Sequence, residues 1–87
     1  DTGGMTVLTE LKAGPRVVGA KQTRRAVNDG RALRVFLAKD ADPNVTAPIE
    51  ELCAQRQVSV EWADAMREVG TACGIAVGAA VAALVRE

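Results

Sequence analysis

The sequence predicts an α/β fold, a three-layer α/β/α sandwich. Three observations carry the prediction: apolar or β-branched runs of strand length recur four times, segments with helically spaced apolar residues separate them, and glycines fall where those helices should stop. The 87 residues make one domain, near the lower end of what folds without metals or disulfides. An apolar fraction of 48% with 25% charged residues is ordinary globular composition. The core must be aliphatic, because Phe36 and Trp62 are the only aromatic residues.

Taken in order, Asp1 to Gly4 precede a Met and show no apolar pattern, so they are set aside as an appended or disordered leader, leaving residues 5–87 as the domain. Thr6 is placed to cap a short helix with Val7, Leu8 and Leu11 on one side and Gly14 as its stop. Pro15 to Val18 reads as a brief strand ending at Gly19, and a polar helix follows from about Lys21 to Asn28, terminated by Gly30. Leu33 to Ala38 is a second strand, and Lys39 to Asn44 carries the residue types of a loop. Thr46 to Arg56 has Ile49, Leu52 and Cys53 at i, i+3, i+4, with Glu50 and Glu51 read as lying early in the helix, where its dipole favours acids.

Val58 to Trp62 alternates as a half-buried strand does. Ala63-Asp64-Ala65 connects it to a helix near Met66 to Cys73 that Gly74 stops, and Ile75 to Val85 is read as the last strand because three earlier strands need a partner covered on both faces. The order is α-β-α-β-α-β-α-β. Gly70, Gly74 and Gly78 are expected to permit close packing or special dihedrals, and Trp62 to sit in the core or at its rim.

Composition narrows the function. There is no His, so the commonest general base and the commonest zinc ligand are missing, and no pattern calls for catalysis, a cofactor or a metal. Two acids in the Asp40–Asp42 turn lack the further oxygen ligands a hard cation needs. Cys53 and Cys73 have no CxxC spacing and are expected to be free, buried thiols in a reducing cytoplasm. The longest apolar stretch, Ile75 to Val85, is too short for a membrane helix, so no membrane partner is expected.

The formal charge is zero, yet it is segregated. Seven basic residues (Arg16, Lys21, Arg24, Arg25, Arg31, Arg34, Lys39) face one acid, Asp29, between positions 16 and 39, whereas seven acids face two bases between positions 40 and 68. A neutral chain can thus present a cationic face to a polyanion. Within the basic half, Gly19-Ala20-Lys21-Gln22-Thr23-Arg24-Arg25 sits where a strand hands over to a helix. Free N–H groups there attract phosphate, Lys and Gln can reach base edges, and Arg25, one turn beyond Lys21, can reach backbone phosphate. Alternatively, the acidic half (Glu50, Glu51, Glu61, Asp64, Glu68) offers a surface for a basic protein partner.

Three runs sharpen the RNA reading: Val17 to Thr23 (VVGAKQT), Leu37 to Pro43 (LAKDADP) and Gly70 to Gly78 (GTACGIAVG). In order and spacing, over roughly residues 7 to 85, they resemble the ribosomal-protein family that recognises kink-turn RNA, and most of all its short bacterial members. The resemblance implies an α/β/α sandwich around a four-stranded mixed sheet and binding to a sharply bent RNA centred on two sheared G·A pairs; the chain is expected to act as a monomer and without enzymatic activity. The resemblance carries RNA reading onto Gly19, Lys21, Gln22 and Arg25, within an expected contact run that also takes in Ala20, Thr23 and Arg24. The positions of Lys21 and Gln22, often Asn and Glu in relatives, read the guanines; Arg25 contacts RNA beside the pairs, and Arg24 a phosphate. A second contact falls on the loop Ala63, Asp64 and Ala65, where Asp64 departs from the more apolar loops of relatives. Asp42 and Thr46 match positions lining a flipped-out base in some relatives, and Lys39 lies on the same face.

Overall fold

The computed structural model describes residues 14–86. The helix expected from Thr6 and the leader at residues 1–4 lie outside the described residues. Across the described residues the chain runs β1 (Arg16–Val18), α1 (Ala20–Asn28), β2 (Ala32–Ala38), α2 (Pro43–Arg56), β3 (Ser59–Ala63), α3 (Met66–Ala72) and β4 (Val81–Val85). The four strands form one sheet in the order β1-β4-β2-β3. It is mixed: β4 is antiparallel to both β1 and β2, and β2 is parallel to β3.

Alternation along the strands separates two cores. Val35 and Leu37 of β2, with Val81, Ala83 and Val85 of β4, pack against Ala26 and Val27 of α1 and Ile49 and Cys53 of α2. On the opposite face, Phe36, Ala38 and Ala82 pack against Val69 and Ala72 of α3 and Cys73 at its end. The period of two in the strands thus yields helix, sheet and helix as three layers. Alanines at 82 and 83 of the central strand β4 are fully buried, which lets helices approach the sheet closely without large side chains. Cys53 and Cys73 are free and buried, and Trp62 sits at the rim on the edge strand β3, 41% exposed.

Each helix is closed by a left-handed residue. Gly30 (φ 77°) and Gly74 (φ 78°) end α1 and α3, and Gln57 (φ 60°) ends α2. In all three the next residue's N–H returns to a carbonyl five residues back: Arg31 to Ala26 at 3.0 Å, Val58 to Cys53 at 2.8 Å and Ile75 to Gly70 at 3.0 Å. Arg16 adds a second device at the end of α3, its guanidinium donating to the Cys73 carbonyl at 3.1 Å, where a cation also meets the negative end of the helix.

Two expectations about element boundaries are corrected. The Ile75–Val85 run is a strand only from Val81, and residues 75–80 form an irregular crossing. Eleven residues of extended strand would span about 36 Å, more than the largest extent of the molecule, 29 Å. The crossing is pinned instead, with the Ala79 N–H bonded to the Met66 carbonyl at 3.0 Å, and a Cβ at Gly70 would collide with the Val77 carbonyl oxygen. Ile75 and Val77 are left 38% and 69% exposed. The second correction concerns α2, which begins at Pro43 within the expected loop. Asp42 caps it and Pro43 fits the first helical position, so Glu50 and Glu51 fall in mid-helix and its first turn contains no acid.

Candidate functional site

β1, β2 and β3 each deliver the chain into a helix, so the amino ends of α1, α2 and α3 all lie at the pole where those strands finish. That pole is where the expected site residues gather. The Gly19 N–H donates to the Val81 carbonyl at 2.8 Å, the Ala38 N–H to the Ala80 carbonyl at 3.0 Å, and the Lys39 N–H to the Ala63 carbonyl at 2.9 Å. These bonds hold the Gly19 turn, the loop after β2 and the loop after β3 around one end of β4.

The three amino ends differ in how their free N–H groups are met. The Asp42 carboxylate accepts from the Asn44 N–H of α2 at 2.9 Å. The Asp40 carboxylate reaches across to the Met66 N–H of α3 at 2.8 Å, standing in for Ala65, which has no capping side chain. At α1 the capping position is Gly19, with no side-chain hydrogen bond and no acid in the first turn. Gly19 adopts φ 103° and ψ 152°, a conformation that side chains resist, and no atom lies within 4 Å of where its Cβ would be. A ligand can therefore approach the backbone there.

The sequence of α1 sorts its side chains cleanly. Thr23, Ala26 and Val27 are buried, while Lys21, Gln22, Arg24, Arg25 and Asn28 are exposed. Lys21, Arg24, Arg25 and Asn28, at i, i+3, i+4 and i+7, line an open depression of about 510 Å³. This cationic stripe opposes local helix stability. Lys21 lies in the first turn, where the dipole is positive, and Lys21 and Arg25 repel each other one turn apart. An anion at this end of α1 relieves both penalties.

The remaining expected site residues have other settings. Thr23 is fully buried and presents no atom to a ligand, and its Oγ1 finds no hydrogen-bond partner among the described residues. Ala20 is half-buried and Ala63 buried, so each shapes backbone rather than offering a side chain. Lys39 pairs with Asp64 at 3.4 Å, both well exposed, so the acid in the second loop shields the cation in the first. Asp42 is occupied as the cap of α2, and Thr46 is buried beneath it. Asp40, whose sequence context suggested only a weak carboxylate pair, ties the loop after β2 to the helix after β3; a cap reached across 26 residues leaves no local signature.

Among the described residues no cluster of His, Cys, Asp or Glu could hold a metal ion, and no helix is long and apolar enough to cross a membrane.

Comparisons with known proteins return relatives that bind RNA or belong to the ribosome by name. An RNA-binding protein of Geobacillus sp. (strain WCH70) is 46% identical over 76 residues, covering 87% of this chain and 93% of that protein. The large ribosomal subunit protein eL8 of Halobacterium salinarum is 35% identical over 68 residues, covering 77% of this chain and 57% of that protein. Among solved structures, the Giardia lamblia 15.5kD RNA binding protein superposes with a TM-score of 0.93 at 25% identity, covering 100% of this chain and 77% of that chain. With the model of the ribosomal protein L7Ae/L30e/S12e/Gadd45 family matching residues 5–87, the chain belongs to that family.

Proposed function

We propose that this chain is a non-enzymatic RNA-binding protein that recognises kink-turn motifs with tandem sheared G·A pairs and stabilises their bent form. The observation that carries the reading is the amino end of α1: among the described residues the one uncapped helix start at this pole, free of acid in its first turn, and followed by Lys21, Arg24 and Arg25 on the exposed side. Family membership and relatives named as RNA-binding proteins support the same partner.

The division of labour follows from chemistry. Lys21 and Gln22, in the first turn, supply donors for guanine O6 and N7, and Gln22 can accept as well. Arg24 and Arg25 meet phosphate, and Gly19 lets the backbone approach. Side chains cannot normally read the deep, narrow major groove of RNA, so base-edge contact requires a distorted site, which a kink supplies. The Ala63–Ala65 loop, Lys39 and Asp42 border the same pole and flank the bound RNA. Binding as a single chain selects the bent conformer by differential affinity. Two free, buried thiols suit a reducing cytoplasm.

The test is a titration, without Mg²⁺, of a kink-turn duplex carrying a fluorescent donor and acceptor at its ends, against a control with the G·A pairs replaced by Watson–Crick pairs. Tight binding with a rise in energy transfer for the kink-turn alone is the expected result. Equal, weak, salt-sensitive binding to both would overturn the proposal and turn attention to the acidic surface as a protein contact.

A further inference from the structure

The opposite pole, where the helices end, carries a second basic feature that the α1 stripe does not include. Three stretches of chain meet there: Gly30 to Leu33 entering β2, Arg56 to Ser59 entering β3, and Arg86 leaving β4, whose N–H donates to the Arg31 carbonyl at 3.0 Å. They enclose a groove of about 350 Å³ whose lining includes Val27, Leu33, Arg56, Val58 and Arg86 and contains no acidic residue among the described ones. Its wall is mixed: Leu33, 49% exposed, and half-buried Val58 stand beside Gly30, Gln57 and Ser59. Its rim is cationic. Arg56 and Arg86 line it directly, and Arg31 lies between two lining residues, held to Asp29 only across 3.9 Å with both side chains about half exposed. Arg56 donates to the neutral Asn28 Oδ1 at 3.3 Å, so its charge is not offset there.

A helix carboxyl end explains one cation at this pole, Arg56 in the last turn of α2. It accounts neither for Arg86 beyond a strand nor for the exposed Leu33 beside it. Exposed aliphatic side chains and neutral hydrogen-bonding groups with cations at their edge complement a single unstacked nucleotide, whose base face packs on the aliphatics, whose edge bonds to the polar groups and whose phosphates seek Arg. We propose that this groove is a second RNA-contact site, taking an unstacked nucleotide from a single-stranded segment, with the base against Leu33 and Val58 and the phosphates on Arg56 and Arg86. The stripe on α1 runs down to Asn28, which accepts from Arg56, so the groove continues that basic surface past the carboxyl end of α1, while Gly19 to Arg25 begin at its amino end; the nucleotide taken here therefore lies beyond the RNA held at Gly19 to Arg25. The protein then holds single-stranded RNA beside the bent element. The inference rests on the RNA-binding reading, but not on kink-turn selectivity.

The experiment uses the whole chain, labelled with ¹⁵N and saturated with the kink-turn duplex, to which single-stranded oligouridine is added while backbone amide shifts are followed. The expected result is movement of the amides of Gly30 to Leu33, Gln57 to Ser59 and Arg86. The double variant Leu33→Gln, Arg86→Gln, at two exposed positions away from the α1 stripe, should weaken this second binding about fivefold and lower its salt slope by about one, with kink-turn affinity and thermal midpoint unchanged. Shifts that are absent or confined to α1, a double variant that binds like the wild type, or a response to phosphatidylglycerol vesicles in place of RNA would each overturn the proposal. If the kink-turn itself fails to bind, oligouridine added to the free chain still reports on this pole, so the two readings fail separately.

Discussion

At the scale of single residues, Gly19 and Thr23 show how α1 is placed. Gly19 combines φ 103° with ψ 152°, a region that is essentially closed to residues with a side chain. Gly19→Ala should cost about 1–3 kcal/mol in urea denaturation even though the space beside it is open, because the penalty is torsional and not steric crowding by neighbours. Thr23 is the opposite case. Its hydroxyl is buried without a partner among the described residues, and removing such a group while keeping the branched shape recovers its desolvation cost. Thr23→Val should raise stability by about 1 kcal/mol, read from the urea midpoint, and leave RNA affinity unchanged. A Thr at the start of a helix looks available for contact in a sequence; only its angular position, on the same face as Ala26 and Val27, reveals that it is spent on the core.

At the scale of elements, the site is organised by which helix starts are capped. Asp40 is the informative one, since it serves a helix that begins 26 residues later. Asp40→Ala should cost about 1 kcal/mol, as the loss of an N-cap does, and should speed amide hydrogen exchange at the start of α3 while α1 is unaffected. Most elements were legible from the sequence because their signals are local: glycine stops at 30 and 74, helical spacing in 49, 52 and 53, and alternation in 58–62. Three features were not. Gln57 closes α2 in a left-handed conformation that a non-glycine residue does not advertise. The apolar run 75–80 imitates the start of a strand, although the depth of the molecule leaves no room for one running the full length from 75 to 85. The early start of α2 was masked because the Asp and Pro that begin a helix are also the residues of a turn.

At the scale of the whole molecule, the two thiols report the integrity of both layers, Cys53 between the sheet and α2 and Cys73 beneath α3. Burial pushes both thiols above the ordinary value of 9.0, Glu50 adding to the effect at Cys53 and Arg16 opposing it at Cys73. The folded state therefore holds its thiol protons at pH values where the unfolded chain releases them. Their contribution to stability is fully present below about pH 9 and is lost as pH rises through the higher folded-state values. A series of urea midpoints across that range should fall in the wild type and fall less in the double variant Cys53→Ala, Cys73→Ala. Below that range, neither thiol should react with a bulky aromatic disulfide until the protein is unfolded. The position of the candidate site was legible for a related reason: the Gly19 turn and its basic helix are contiguous in sequence. The convergence of the other two loops on it depends on the sheet order β1-β4-β2-β3, which no local pattern encodes.

The crossing from α3 to β4 places backbone against backbone. A side chain at Gly70 would strike the Val77 carbonyl, and one at Gly78 would come within 3.0 Å of the Met66 Cβ, although Gly78 itself is exposed. Variation in this stretch is therefore governed by clearance and not by solvent access. Among chains sharing this fold, position 70 would be expected to hold its glycine strictly and the solvent-facing position 78 to favour small residues, while Val77 beside it is free to change chemistry. An exposure profile alone would not tell those two neighbours apart.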